Sequence, residues 1–329
     1  MRMVAGNLSA IGLCHFLIRF YGTRSRRLLS PMSTVRTATA SATFIAITPA
    51  LFVFLWSTGF IGMRYGAPHA EPFTFMMWRM AIVVSILLIV ALAMRAPWPQ
   101  SPREVAHIAI AGLLVHATYL SGVLYAINLK LPLGFVALLT GLQPIVTGVF
   151  ANAYLHEKLS PRQWTGMALG LAGVVLVVMS KFTFGNVNAP ALGCAGIALA
   201  GITFGTLYQK RHCSHMDLRT GGVIQFSATG LAMMMGAFAF ETRVVQWTGE
   251  FLFALLWLAI VLSLGAISLL YLMIRRGAAS KVASLFFLTP SVTAVLAFLL
   301  FGETLNGLAV AGLLVTSAGV ALVTRATQS

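Results

Sequence analysis

Residues 142–177, LQPIVTGVFANAYLHEKLSPRQWTGMALGLAGVVLV, return in altered form as residues 288–323, LTPSVTAVLAFLLFGETLNGLAVAGLLVTSAGVALV. A shift of 146 residues aligns the two stretches without a gap. The identical pairs include Leu142 and Leu288, Pro144 and Pro290, Thr147 and Thr293, Glu157 and Glu303, Gly166 and Gly312, and Gly173 and Gly319. One register held over so long a stretch indicates an internal duplication.

The composition is that of a membrane protein. Hydrophobic residues make up 59% of the 329 positions and charged residues 9%, whereas a soluble domain is about 45–50% apolar and about 25% charged. The apolar residues form blocks of roughly 20, the length of a helix that crosses a ~30 Å hydrocarbon core. The net charge of +15 comes from short runs between these blocks, not from one patch, so nucleic-acid binding is not expected. The chain is predicted to be an all-α membrane protein in contact with the lipid bilayer.

Ten transmembrane helices are predicted after a basic N-terminal extension, residues 1–43. The extension resembles a targeting segment in composition, but it is also explained by disorder or by an over-extended start, with translation beginning at Met32. The spans are predicted at residues 44–63, 72–94, 105–126, 133–154, 163–180, 190–209, 220–240, 251–273, 282–301 and 307–324. The short links leave no room for a soluble domain, so any function is expected inside the bundle.

The duplicated units, residues 44–180 and 190–324, each contain five predicted spans. Because five is odd, the second unit enters the membrane upside down, and the fold is predicted to be two inverted five-helix repeats. The loops on one side carry 17 Lys and Arg, and those on the other side carry four. Positive charge marks the cytoplasmic side of short loops. We therefore expect both termini in the cytoplasm and the chain in a bacterial inner (plasma) membrane.

The repeated pattern is specific enough to indicate a family. Each copy has a proline within a span, Pro144 or Pro290, then a short turn containing Glu157 or Glu303, then a span with spaced glycines that ends in Ala-Gly-Val. This pattern resembles the EamA-type repeat of the drug/metabolite transporter superfamily over residues 44–325. The resemblance implies a ten-helix secondary transporter, an exporter or permease of metabolites such as amino acids, that works by alternating access.

The resemblance extends to Trp56 and Gly59 in the first span and to Arg79 in the second, whereas Met80 stands where the family has an aromatic residue. All seven acidic residues lie in predicted loops or at span ends. A proton or sodium relay through a buried carboxylate is therefore not expected. Glu157 and Glu303 are predicted to cap the helices that follow them, since carboxylates are favourable at helix N-termini.

Seven polar or aromatic side chains inside the predicted spans are candidates for contact with a solute. His116 lies near the centre of the third span, and two others directly precede the paired prolines, which free backbone carbonyls towards a cavity. Each candidate also has a structural interpretation, as core packing or as a hydrogen bond between helices. The seven are Trp56, Ser57, Arg79, His116, Tyr119, Gln143 and Thr289.

Arg79 is the only Lys or Arg predicted inside a span, about 10 Å deep at 1.5 Å per residue. Its repeat partner is the neutral Gln225. One interpretation is structural: the side chain reaches back to the outer surface and bonds loop carbonyls, or pairs with Glu71. The other is functional: the guanidinium recognises a carboxylate on a solute or takes part in an outward-open gate.

The alternative function is a membrane-embedded lipid-modifying enzyme. Such an enzyme needs clustered acid and base groups near one interface, and the sequence offers only His156-Glu157 and the stretch from His212 to Asp217. We therefore expect a small-molecule solute as the partner, with no enzymatic activity, no metal site and no cofactor. The sequence leaves open whether the protein forms a homodimer.

Overall fold

The structure is a computed structural model, which describes residues 34–129, 131, 136, 139–155, 159–179, 188–277, 279–301 and 307–325. Residues 47–329 form one compact unit and residues 1–46 another, of which only the helical residues 34–46 are described. Within the described residues the chain is all-helical, with one isolated β-bridge between Ala70 and Val245. The predicted all-α class is confirmed.

The helices are labelled in chain order. They are α1 (Thr34–Gly66), followed by a 3-10 turn at Ala67–His69, α2 (Pro72–Ala93), α3 (Pro102–Asn128), α4 (Gln143–Leu155), α5 (Pro161–Met179), α6 (Ala189–His212), α7 (Leu218–Phe240), α8 (Gly249–Arg276), α9 (279–301, with a 3-10 turn at Leu285–Phe287) and α10 (Gly307–Arg325).

Eight helices within the described residues, all of those above except α4 and α5, are long and apolar enough to cross a membrane. They match eight of the predicted spans. The helices α4 and α5 overlap the predicted fourth and fifth spans, so the count of ten stays a prediction. The first helix begins at Thr34, ten residues before the predicted start, because no proline or glycine interrupts the chain between Thr34 and Pro49. Residues 1–33 of the predicted extension lie outside the described residues.

Five helices begin after a residue whose side chain accepts a hydrogen bond from an amide of the first turn. Such a cap satisfies donors that have no partner inside the helix. The cap at Ser101, with Pro102 as the first helical residue, explains why α3 begins three residues before its predicted start. The caps are Ser101 for α3, Ser160 for α5, Asn188 for α6, Asp217 for α7 and Thr248 for α8.

Glycines bring α5 and α10 into direct backbone contact. A methyl group at Gly166 would lie 2.7 Å from the carbonyl oxygen of Gly319, and one at Gly312 would lie 2.6 Å from the carbonyl oxygen of Gly173. No side chain fits at such separations. Small residues of this kind let membrane helices approach closely enough for van der Waals packing to hold them together.

Two helices contain π-helical segments, Leu113–Thr118 in α3 and Trp257–Ala266 in α8. Neither segment was predicted from the sequence. The first lies against α6, where a methyl group at Gly205 would meet the side chain of Val115 at 2.7 Å. The second lies against α1, where a methyl group at Gly59 would meet Leu262 at 2.9 Å. Segments of this type occur often at functional sites.

Candidate functional site

A small space that we name the central pocket lies between α1, α2, α3 and α8. It brings together four of the seven candidate residues: Trp56, Arg79, His116 and Tyr119. The remaining lining is apolar and includes Phe60, Met63, Val115, Leu120, Val123, Leu262 and Ile267. Both π segments contribute to this lining, through Val115 and His116 in α3 and through Leu262 in α8.

Arg79 is buried in the pocket wall with only 2% of its surface exposed. Its Nε donates to the Ser263 Oγ at 3.0 Å, and its Nη1 contacts the Met76 Sδ at 3.9 Å. The Ser263 hydroxyl donates in turn to the Leu258 carbonyl at 3.1 Å. The interpretation in which the guanidinium reaches the outer surface is therefore wrong, because a hydroxyl from the π segment of α8 holds it inside.

His116 lies in the π segment of α3 with 2% of its surface exposed. Its ring stacks on Phe226, with centroids 4.5 Å apart, and its Nε2 is 3.2 Å from the Tyr271 hydroxyl. The ring is thus held from two sides by α7 and α8, with one edge on the central pocket. The imidazole is therefore held in a fixed position in the pocket wall.

Aromatic rings form one wall of the pocket. The rings of Trp56 and Tyr119 are stacked at 26° with centroids 6.4 Å apart. Trp56 also meets Phe286 edge to face at 5.0 Å and Phe52 at 5.3 Å. Such pairs hold each other in place, so the indole is a rigid surface that suits a flat or apolar part of a solute.

The other three candidates do not line the central pocket. The Ser57 Oγ donates to the Val53 carbonyl at 2.7 Å and lies 3.3 Å from the Thr289 carbonyl. The Gln143 Nε2 and the Thr289 Oγ1 are buried without a hydrogen-bond partner in the described part of the chain. Ser57 thus contacts the backbone of Thr289, which directly precedes Pro290, and Gln143 directly precedes Pro144. Glu157 and Glu303 lie outside the described residues.

The central pocket is small in this structure, and most of its lining residues are buried. Its volume is about 30 Å³, which is room for one or two water molecules and not for a metabolite. A larger occupant can enter only if the surrounding helices move apart.

One end of the bundle is held together by what we name the loop latch, the contacts between residues 69–74 and 241–246. The Glu241 carboxylate accepts hydrogen bonds from the Phe73 and Thr74 amides at 2.7 and 2.6 Å and from the Thr74 hydroxyl at 2.8 Å. The Glu71 carboxylate accepts from the Thr242 amide and hydroxyl, both at 2.7 Å, and from the Arg243 amide at 3.1 Å. Glu71 is thus engaged in the latch and does not pair with Arg79.

The latch also sets the acidity of Glu71. The Thr242 hydroxyl is the main cause that lowers the pKa of this carboxyl below its ordinary value, and the Thr242 and Arg243 amides act in the same direction. Desolvation opposes them without reversing the shift. The latch is therefore strongest when Glu71 is ionised.

The opposite end of the bundle is closed by different contacts. The Thr220 Oγ1 donates to the Pro97 carbonyl at 2.7 Å, and the Lys210 Nζ donates to the Gly277 carbonyl at 2.7 Å. Asp217, the repeat partner of Glu71, is paired with Arg219 at 2.8 Å. Burial raises the pKa of Asp217, but the hydrogen bonds and charge of Arg219 outweigh burial and leave the pKa lowered.

Ser263 and Phe286 are part of the site but were not singled out from the sequence. Ser263 is the only residue with a polar side chain in the stretch from Leu258 to Ala266, which is a signal that a sequence analysis could have used. Phe286 carries no such signal, because an aromatic residue in an apolar span is ordinary core.

The comparisons with known proteins agree with one another. The profile of the EamA-like transporter family matches residues 43–179 and 191–325. YvbV, an uncharacterised transporter of Bacillus subtilis, is 27% identical over 84% of this chain and 90% of its own. YedA, an uncharacterised inner membrane transporter of Escherichia coli, is 26% identical over 78% of this chain and 82% of its own.

Two further likenesses are more distant. A protein of Salmonella typhimurium named as a probable amino-acid metabolite efflux pump is 22% identical over 82% of this chain and 91% of its own. One solved crystal structure superimposes with a TM-score of 0.73 at 20% identity, over 86% of this chain and 98% of that chain, which shows a shared fold. The family profile covers both halves of a chain with several membrane-length helices, and on this ground the protein is a multi-pass membrane protein that belongs to the EamA-like transporter family.

Proposed function

We propose that this protein is a secondary transporter, in the export direction, of small metabolites such as amino acids or related compounds. In this proposal it spans the bacterial inner membrane ten times, with both termini in the cytoplasm, and works by alternating access. The observation that carries the proposal is the small central pocket inside a bundle built from a duplicated unit, with polar contacts between helices at each end. Two copies of one unit that hold a site between them can open that site to one side and then to the other.

The glycine contacts between α5 and α10 support the inverted repeat. The 146-residue shift aligns Gly166 with Gly312 and Gly173 with Gly319. The contact of Gly166 with Gly319 and that of Gly312 with Gly173 are therefore two copies of one contact, as expected about a two-fold axis. The earlier glycine of α5, Gly166, contacts the later glycine of α10, Gly319, and the later glycine of α5 contacts the earlier one of α10. The two equivalent helices therefore run in opposite directions.

A second pair of contacts supports the same arrangement. The π segment of α3 packs on Gly205 of α6, and the π segment of α8 packs on Gly59 of α1. Gly205 is the shifted partner of Gly59, and the two π segments coincide under the same shift. Each half thus places its first helix against the third helix of the other half. Two interlocked copies of one unit can exchange conformations to open the pocket to alternate sides.

The roles proposed for the candidate residues follow their positions. Trp56, Arg79, His116 and Tyr119 line the pocket and are proposed to contact the solute directly. Ser57, Gln143 and Thr289 are proposed to bind it only in an opened form, since they do not line the central pocket.

The structural-motif residues have proposed roles of their own. Pro144 and Pro290 are proposed as the points where their spans bend. The capping roles of Glu157 and Glu303 and the homodimer remain proposals.

Transport is tested by counterflow in proteoliposomes that are loaded with unlabelled amino acids and diluted into a trace of labelled ones. We expect saturable, exchange-stimulated uptake. Trp56→Ala should lower it roughly tenfold, the effect of about 1.4 kcal/mol of lost binding, while Trp247→Ala, an exposed indole, should stay within about twofold of the unsubstituted protein. Turnover of lipid without any flux would support the lipid-modifying enzyme instead.

The inverted topology predicts that two equivalent turns face opposite sides of the membrane. Lys158→Cys and Thr304→Cys are made separately in a chain without Cys14, Cys194 and Cys213. A membrane-impermeant thiol reagent added to intact cells should label Thr304→Cys and leave Lys158→Cys unlabelled, and both should react after the cells are opened. Labelling of both from outside would contradict the inverted repeat.

A further inference from the structure

Arg79 brings a positive charge to the central pocket, and nothing in the described part of the chain neutralises it. The residues that line the pocket include no aspartate or glutamate, and no ion pair of Arg79 is found among the described residues. The two carboxylates at the nearer end of the bundle, Glu71 and Glu241, are occupied by backbone amides and hydroxyls of the loop latch. A buried charge of this kind is costly and calls for a partner.

The geometry of the guanidinium leaves its outer edge free for such a partner. The Ser263 hydroxyl accepts a hydrogen bond from the Nε. The acceptor found for the Nη1 among the described residues is the Met76 sulfur, a weak one, at 3.9 Å. No hydrogen bond of the Nη2 is found among the described residues. The two Nη groups of arginine form a planar fork that matches the two oxygens of a carboxylate or phosphate.

The second half of the protein has no such charge. Gln225 stands at the equivalent position, and its Nε2 donates to the Gln209 Oε1 at 2.7 Å. The repeat fold therefore accommodates a neutral side chain at this place, whose Nε2 is hydrogen-bonded and whose Oε1 is buried without a partner among the described residues. Only the first half carries a positive charge at this position. The packing of the repeat therefore does not require that charge.

We propose that the central pocket selects solutes by charge: an anionic group, a carboxylate or a phosphate, binds the Nη groups of Arg79, and the rest of the solute lies on Trp56 and Tyr119. Cationic solutes are excluded because no acidic side chain offsets Arg79. Ser263 is the positioning residue that turns the fork of Arg79 towards the pocket. This proposal rests on the proposed transport function and names its substrate class.

The test uses four probes of one shape: 3-phenylpropanoate, 3-phenylpropanamide, 3-phenylpropylamine and phenyl phosphate. Their binding to the purified, detergent-solubilised protein is measured by calorimetry, and their inhibition of counterflow is measured in proteoliposomes. We expect the acid or the phosphate to bind at least about 100-fold more tightly than the amine, with the neutral amide between them. The affinities of 3-phenylpropanoate and phenyl phosphate are compared to show whether the pocket prefers a carboxylate or a phosphate.

The variants separate charge recognition from folding. Arg79→Gln should lose the preference for the anion while still binding the amide, and Arg79→Lys should keep only part of it, because lysine lacks the planar fork. Ser263→Ala should weaken anion binding more than amide binding, whereas Ser85→Ala, whose hydroxyl bonds only its own helix, should change neither. If Arg79→Gln does not fold, the proposal is still tested by two measurements. They are the preference of the unsubstituted protein for the anion over the amine and the effect of Ser263→Ala on anion binding.

Equal affinity of the unsubstituted protein for the acid and the amine would overturn the charge selection. If that result came with saturable counterflow, the transport function would stand and only the substrate class would fall. Anion-selective binding without flux in any assay would retain the selection and overturn the transport function.

Discussion

Gly319→Val should leave almost no folded protein in the membrane. A methyl group at Gly319 would lie 2.6 Å from the Gly166 carbonyl oxygen and 2.9 Å from the Gly170 Cα. These neighbours are backbone atoms of α5, which cannot turn aside as a flexible side chain would. Overpacking of a core costs about 1–3 kcal/mol where side chains can adjust, so we expect a larger loss here, out of a total stability of about 5–15 kcal/mol.

The measurement is the amount of monodisperse protein recovered after detergent extraction, together with its thermal unfolding midpoint. Gly196→Val is the matched control, since it makes the same exchange within a helix at a glycine with nothing within 4 Å. Gly173→Val should behave like Gly319→Val, because it enters the second copy of the same contact. Recovery of Gly319→Val equal to that of Gly196→Val would show that α5 and α10 do not touch as described.

Removing both latch carboxylates should open one end of the bundle. Glu71 and Glu241 together accept six hydrogen bonds from residues 73, 74, 242 and 243. A hydrogen bond contributes a net ~0.5–1.5 kcal/mol. The double variant Glu71→Ala with Glu241→Ala should therefore shift the equilibrium towards the opened form by at least roughly tenfold.

The opening is read from the labelling rate of Val123→Cys in a chain without the native cysteines, since Val123 is buried in the wall of the central pocket. Glu250→Ala is the control, because that carboxylate is exposed and has only His69 nearby, at 3.6 Å. The rate should also depend on pH. The pKa of Glu71 is lowered, so its bonds hold above the ordinary pKa of glutamate and are lost as the pH falls through the lowered value. Labelling that is equally slow in the double variant and the control would show that the loop latch does not hold this end of the bundle together.

The sequence predicts most of the helical framework, because the signals that set it are local. Apolar blocks of membrane length and breakers such as Pro72 and Asp217 place α2 and α7 within one or two residues of their observed bounds. The depth of Arg79 also follows from its distance to the helix start. Local signals of this kind need no knowledge of which helices meet.

The contacts that make the site depend on tertiary packing and could not be predicted. Ser263 lies 184 positions from Arg79, and Thr242 lies 171 positions from Glu71. A π segment has no sequence signature that separates it from an α-helix, so the place where His116 turns into the pocket was not visible. Four of the seven candidates line the pocket. The sequence predicts how deep a residue lies in its span, but the direction of its side chain depends on how the helices pack.

In the proposed transport cycle, the buried guanidinium would also make the empty protein sensitive to membrane voltage. A unit charge that crosses the full electric field of a membrane changes in energy by about 2.3 kcal/mol per 100 mV. In a cell with a negative interior, this field favours the form in which Arg79 is in contact with the inside. An anion bound to Arg79 cancels the charge, so the loaded form crosses without electrical work. The membrane potential would then drive the return of the empty carrier inwards, and with it a net outward flow of anions.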